Sequence, residues 1–286
     1  MYRKNISNTL LRKFFSLLCS HSLFFAFLLT HNNYFLIPVL YASETMDTAE
    51  QIEKGKFRLT FYYSCFENNP AFKVSGPVRI STGPGTGVIV TGAETEILCA
   101  GEGNQANVKL TFNPFEGFIW WGKITTILNY TLTIPSTTAT STQLQAVEPG
   151  ISAGLGIRYQ VFPETIVSPG ICIDFALTAT EINFKKFLSI SRQIQIVKNK
   201  FEMQELQMSF LVSKKYRYIQ PYGGFKVFRL YSKLLDEISL EESHGLKDNV
   251  NLYLGAKINL KKFEWLILEG NFIGERSISV GFGGKF

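Results

Sequence analysis

The sequence predicts an all-β protein: a closed, antiparallel, up-and-down transmembrane β-barrel of about ten strands, with eight or twelve as the neighbouring counts. Three observations predict it. Apolar side chains recur on every second position through most of 55–286, the period of a strand whose successive side chains point to opposite faces. The intervening positions hold Gly, Ser, Asn, Gln and isolated charges of both signs, not the dense Lys and Glu of a solvated face. Connections alternate between short and long. A barrel in lipid has these properties: an apolar exterior, a polar lumen, short turns at one rim and long loops at the other. In lipid every backbone group needs a partner, so the first and last strands must pair.

The elements follow in order. In 57–66, Phe57, Leu59, Phe61 and Tyr63 alternate with Arg58, Thr60, Tyr62 and Ser64. A long second segment, 95–112, carries Val108, Leu110 and Phe112 around Lys109 and Thr111. In 116–131, Phe118, Trp120 and Ile124 flank Trp121 and Lys123. In 150–162, Ile151, Ala153, Leu155, Ile157 and Tyr159 alternate with Ser152, Gly154, Gly156, Arg158 and Gln160. In 166–179, Ile171, Ile173, Phe175 and Leu177 alternate with Cys172, Asp174 and Ala176. In 203–215, Leu206, Met208, Phe210 and Val212 alternate with Gln207, Ser209 and Ser213, with Leu211 out of phase. In the strand 219–232 both phases are mixed over 221–231, with Phe225 and Val227 against Lys226. In 249–261, Val250, Leu252, Leu254, Ile258 and Leu260 alternate with Asn251, Tyr253, Gly255 and Lys257. In 263–273, Leu266 and Leu268 oppose Glu269. In 275–286, Ile278, Val280, Phe282 and Phe286 oppose Glu275, Ser277, Ser279, Gly281 and Lys285. The one helical competitor, 185–206, also fits period two through Ser189, Ser191, Gln193 and Gln195, and is expected as tall strand and loop.

Strands of about ten residues suit a tilted membrane crossing. The polar phase places Arg58, Lys109, Lys123, Arg158, Asp174, Lys257, Glu269 and Glu275 in the lumen. Eight strands leave a lumen that side chains fill, and 16–18 leave an aqueous channel, so about ten implies a plugged or very narrow one. Aromatics crowd strand ends, and Trp120, Trp121, Tyr216, Tyr218 and Trp265 are expected in the interfacial girdles, with Phe162, Tyr222 and Phe263 nearby.

The N-terminus carries Arg3, Lys4, Arg12 and Lys13, then the apolar run 23–29, a second apolar run from Tyr34, and Ala42-Ser43. Basic, apolar, then small residues is the order of a secretory signal, expected over 1–43, with an uncleaved anchor as the alternative. A periplasmic tail is expected over 44–54 and the barrel over 55–286. Removal of the signal lowers the net charge from +6 by its four cations to +2. That charge gives no basic face for nucleic acid. Cys65, Cys99 and Cys172 remain; one Cys65–Cys99 bridge is compatible with export, and buried free thiols are the simpler expectation.

On these features the chain, over roughly 55–286, resembles the small bacterial outer-membrane β-barrels of the OmpA-like and opacity-protein-like type. The resemblance implies residence in the bacterial outer membrane, with membrane lipid and the barrel-assembly machinery as partners. It also implies that Ile278, Val280, Phe282 and the terminal Phe286 form the signal that this machinery reads. Gly284 departs from the pattern, which more often has an aliphatic or aromatic residue there.

Chemistry-bearing residues are few. After export His244 is the one histidine left, surrounded by Asp236, Glu241, Glu242, Ser243 and Asp248. A membrane-embedded hydrolase would need it, and a solvated acidic loop is the simpler expectation. The glycine-rich stretches near 83–87 and 101–103 precede no helix and make no phosphate cradle. No cofactor or metal site is expected. The expected role is structural or adhesive, with ligand contact through loops 67–93 and 233–248; the alternatives are a narrow solute channel and the hydrolase.

Overall fold

In the computed structural model, the described residues are 46–50, 52–74, 78–81, 87–90, 95–135, 142–146, 148–188, 194–236, 242–261 and 264–286. The expected signal, residues 44, 45 and 51 of the expected tail, Phe263, and the tips of both candidate loops lie outside them.

Among the described residues there are fifteen strands and no helix. They are β1 (Phe57–Asn68), β2 (Ala71–Val74), β3 (Val78–Ser81), β4 (Gly87–Val90), β5 (Thr95–Leu98), β6 (Ala100–Phe115), β7 (Phe118–Ile134), β8 (Thr142–Ala146), β9 (Gly150–Phe162), β10 (Gly170–Leu188), β11 (Ile194–Ser213), β12 (Ile219–Asp236), β13 (Glu242–Lys261), β14 (Glu264–Asn271) and β15 (Arg276–Lys285). Ten of them form one closed antiparallel barrel in the cyclic order β1, β6, β7, β9, β10, β11, β12, β13, β14, β15. Closure joins the first strand to the last, from Arg58↔Lys285 to Glu67↔Arg276. The Phe286 and Phe57 amides and carbonyls exchange hydrogen bonds of 3.0 and 3.3 Å, so the terminal residue is held in the ladder.

The other five strands sit at the loop end. β8 pairs with β7 and β10 and continues the wall above β9, which starts later than its neighbours. β2 pairs with β5 and, at His244↔Lys73, with β13; β3 and β4 form a separate hairpin. At the other rim the turns are short. Gly117 closes the β6–β7 turn at φ 79, in the left-handed region that glycine enters without a steric penalty.

The wall is taller than a membrane requires. β10 to β13 run 18–20 residues, whereas β14 has 8 and β15 has 10. The expected loop 233–248 is accordingly mostly strand: β12 continues to Asp236 and β13 begins at Glu242, paired through Leu235↔Glu242. The hairpin over 185–206 likewise stays in register to Leu188↔Ile194, with one bulge near Phe184. Backbone pairing continues upward because each extended strand gives its neighbour a complete ladder.

Along these tall strands the two faces exchange character. Low on the wall Phe175 and Leu177 point outward while Asp174 and Thr178 point in; Leu206 and Met208 point out while Gln207 and Ser209 point in. Higher up the outward side chains are charged and the inward ones apolar. Glu181, Lys200, Glu202, Arg229 and Asp248 lie outside; Ile182, Phe184, Phe201, Phe228 and Leu230 are buried inside. The outer charges pair across strands, with Lys200 at 3.0 Å from Glu181 and 2.8 Å from Glu202, and Arg229 at 2.6 Å from Asp248. The lumen is therefore polar only below this level, which corrects the expectation of a polar lumen throughout. The outward apolar run on β13, from Val250 to Leu260, covers 11 residues, the length of a tilted crossing.

This exchange locates the membrane surface between Leu206 and Glu202 on β11. Met208→Arg is expected to destabilise the refolded protein in bilayers by about 2–4 kcal/mol, and Glu202→Arg by at most about 1. Equal losses in denaturant titrations would place the surface elsewhere.

Candidate functional site

The lumen is the candidate site. All eight predicted lumen charges are buried: Arg58, Lys109, Lys123, Arg158, Asp174, Lys257, Glu269 and Glu275. They comprise five cations and three carboxylates. A ninth charge, Lys226, is also fully buried and lies 3.7 Å from Glu275. Its phase, opposite Phe225 and Val227, is shared with Tyr222 and Gly224, but the mixed pattern of 221–231 left it out of the expected lumen set. The lumen thus carries an excess of positive charge.

Residues 46–50 and 52 answer that excess. Expected as part of a tail outside the barrel, they are instead buried within it: Met46, Asp47, Thr48, Ala49 and Ile52 are almost inaccessible. Asp47 receives Arg58, Arg158 at 3.0 Å and Lys109 at 3.8 Å, and Arg158 also holds Asp174 at 2.7 Å. Glu50 receives Lys257, Lys285 at 3.1 Å, Arg58 at 3.6 Å and Lys215 at 3.7 Å. The backbone is tied as well. The Met46 amide donates to Glu269 (2.7 Å) and the Ala49 amide to Ser213 (3.0 Å). The Thr48 and Ala49 carbonyls accept from Arg158 (3.0 Å) and Gln160 (3.1 Å), and the Ile52 carbonyl accepts from Asn113. Periodicity carries no information about a segment that precedes the first strand, so Asp47 and Glu50 were not legible as lumen residues.

Burial alone pushes the Asp47 carboxyl upward. Arg58, Arg158 and Lys109 more than offset it, leaving the group well below the usual carboxylate range. Glu50 follows the same course, burial being outweighed by Lys257, Arg58 and Lys285.

Two tryptophans expected in the girdles point inward. Trp121 donates to Asp174 at 3.1 and 3.2 Å, with Lys109 4.5 Å above its ring. Trp265 is 3% exposed and lies under Arg58 (5.4 Å) and Lys257 (4.8 Å). Tyr222 is buried too, donating to Glu269 at 2.9 Å. Each ring lies opposite a glycine on the next strand: Trp121↔Gly156, Trp265↔Gly283, Tyr222↔Gly255, and in reverse across the same pair of strands Tyr253↔Gly224. A Cβ on Gly156 would stand 2.3 Å from the Trp121 ring, and one on Gly283 2.5 Å from Trp265. The glycine lets the ring lie flat along the wall. The signal for inward rings was present, since Trp121 shares its phase with Lys123. Trp120, Tyr216 and Tyr218 are on the outside, between 52% and 62% exposed.

At the loop end the lumen is closed again. Phe66, Tyr130, Phe184 and Phe201 pack together, with ring centroids about 6 Å apart, and Phe72 of β2 joins them at 5.8 Å from Phe201. Ser232 fixes β2 by donating to the Ala71 carbonyl (2.8 Å). Between the two closures lies a cavity of about 60 Å³, with Phe66, Met203 and Leu230 above and Gln105, Lys123, Ser152, Glu205 and Glu275 around it.

On the outside, the band from Val250 to Leu260 and its counterparts, Ile124, Leu155, Phe175, Met208 and Leu268, are exposed and apolar on every side of a closed sheet. Such a surface is stable only against hydrocarbon. The chain is a transmembrane β-barrel. Ile278 and Phe286 belong to that outer face, as do the less exposed Val280 and Phe282; Gly284 lies between Leu59 and Glu264 on the flanking strands.

No family model matches the barrel's sequence, and no curated protein does. Solved outer-membrane barrels are similar in architecture. The translocator domain of the autotransporter NalP from Neisseria meningitidis is 11% identical over 83% of this chain and 91% of its own, with a TM-score of 0.44. The β domain of the Bordetella autotransporter Brka is 11% identical over 82% and 100%, with a TM-score of 0.41. The outer membrane protein OprG from Pseudomonas aeruginosa is 9% identical over 84% and 99%, with a TM-score of 0.36. The assignment to the membrane rests on the barrel's own exterior, not on these likenesses.

The remaining candidates are separated by the strands. His244 is exposed and contacts Glu242 at 3.2 Å. Ser243, its neighbour in a strand, points to the opposite face, and Asp248 is taken by Arg229. Among the described residues no group of three His, Cys, Asp or Glu side chains could hold a metal ion. Cys65, Cys99 and Cys172 are free thiols. Cys65 belongs to the outward phase of β1 and Cys99 is buried within, so no Cys65–Cys99 bridge forms.

Two outcomes follow. Gly156→Ala and Gly283→Ala are each expected to cost about 1–3 kcal/mol, against less than about 0.5 for Gly122→Ala, whose added Cβ meets only Leu155 at an ordinary 3.6 Å. Similar urea midpoints for all three would contradict the ring-over-glycine packing. Because the Asp47 and Glu50 pKa values are depressed in the folded state, their stabilisation is complete above the ordinary values near about 4 and is lost as pH falls below them. Amide NMR signals of residues 47–50 should stay dispersed at neutral pH and move toward random-coil positions on acidification below about 4; pH-independent signals would refute the ion-pair anchoring.

Proposed function

We propose that this barrel is a closed membrane scaffold with a structural or adhesive role, presenting its loop end at the cell surface for contact with a host or ligand. The observation that carries this is the exchange of faces on β10 to β13. Above the membrane the wall has an apolar interior and a charged exterior, as a folded water-soluble barrel has. A rigid extension of this kind presents a contact surface at lower entropic cost than a mobile loop. The proposal includes no catalysis, in keeping with His244, which is exposed and contacts Glu242 alone among the described carboxylates. It also takes the outward residues Ile278, Val280, Phe282 and Phe286 as the segment that the assembly machinery reads.

A narrow solute channel is the competing assignment. The buried residues 46–50 and 52 and the aromatic layer around Phe72 argue against it, because both block the axis. Refolded protein in planar bilayers should show negligible conductance, and steady ion-sized steps would reverse the ranking of the two roles. On intact cells, charge reversal of Lys200, Arg229 and Lys233 together should weaken cell or ligand adhesion while the heat-modifiable gel mobility of the barrel is kept. Unchanged adhesion would remove the extension from the contact surface.

A further inference from the structure

We propose that the mid-lumen cavity binds a small zwitterion, a molecule of amino-acid size that carries one carboxylate and one ammonium group. The strand register builds the site. Lys123 of β7 stands opposite Gly154 of β9, Gly154 opposite Thr178 of β10, and Thr178 opposite Glu205 of β11. These four positions form one row across the wall. The missing side chain of Gly154 opens a notch in that row, with Thr178 Oγ1 2.9 Å and Lys123 Cε 3.6 Å from where its Cβ would be. A lysine, a hydroxyl and a glutamate therefore face the same cavity.

The charges at the two ends of this row are left without partners. Lys123 is 6% exposed and, among the described residues, has no carboxylate within 4.0 Å. Glu205 Oε1 is buried with no hydrogen bond. The third charge on the cavity, Glu275, is already paired with Lys226 at 3.7 Å. Lys123 is buried, and Glu205 is half-buried with one carboxylate oxygen enclosed; charges so placed without partners are costly, so the cavity contents must satisfy them. A lone anion would meet Lys123 but be repelled by Glu205, and a lone cation would meet the reverse. A molecule with both charges satisfies both ends.

Size sets the class. A cavity of about 60 Å³ holds a few waters or a solute of a few heavy atoms, and excludes aromatic rings. Phe66, Met203 and Leu230 above it accept a short apolar substituent.

The test uses glycine as the probe, with the refolded exported chain in detergent micelles and titration followed by calorimetry and amide NMR. Saturable binding is expected, with acetate and methylammonium each weaker by at least about tenfold, because each satisfies one end only. K123M and E205Q should each reduce glycine binding by a similar factor. The control K56M, which replaces an exposed lysine at the short-turn rim that lines neither the cavity nor the contact surface, should leave it unchanged. E205Q preserves volume, so it reports on the site even if K123M fails to fold, which heat-modifiable mobility would reveal. The proposal is overturned by no saturation up to about 100 mM glycine, by equal affinity for acetate, or by binding that survives E205Q.

Discussion

The structure depends on neutralising a positively charged lumen. Ten strands enclose too little space for bulk water, yet their inward positions carry more cations than carboxylates. Asp47 and Glu50 supply the missing negative charge from a segment that is not part of the wall, and three cations converge on Asp47 and four on Glu50. Removing either carboxylate would leave guanidinium and ammonium groups facing one another in a space that water enters poorly, the costly half of a broken buried ion pair. The segment therefore does two things with one interaction: it balances the charge and it fills the short-turn end of the barrel.

The second organising feature is the solvent change along the wall. A strand that crosses from lipid into water must reverse which side chains are favoured outside, while its backbone ladder continues without interruption. β10, β11 and β12 do this within a few residues, from Leu177 to Glu181, from Leu206 to Glu202 and from Val227 to Arg229. Inside, the change is from Asp174, Ser209 and Lys226 to Phe184, Phe201 and Phe228. The aromatic layer that results closes the loop end, so the barrel is blocked by charge pairing below and by hydrophobic packing above. The cavity lies between the two closures, where neither kind of packing is complete.

The inward aromatics show how a pattern can be read correctly and still be assigned wrongly. Trp121 and Trp265 sit near strand ends, where girdle residues occur, but their phase is that of Lys123 and Glu269. Phase is the stronger constraint, because a one-residue slip would turn every neighbouring side chain over with them. The glycines opposite, Gly156 and Gly283, are a complementary signal that becomes legible only once the register is known.

By itself the sequence determined the alternation, hence the strands, the even count near ten, the rim that carries the short turns, and the inward set from Arg58 to Glu275. These follow from period-two chemistry, which is local. Only the tertiary structure decided where residues 46–50 and 52 go, which aromatic lies over which glycine, that Lys226 pairs with Glu275, and that Lys123 and Glu205 face one cavity without meeting. Those facts depend on closure and register, which bring residues far apart in the chain to one level of the barrel. Periodicity within a strand fixes the face of a side chain and carries no information about its partner across the lumen.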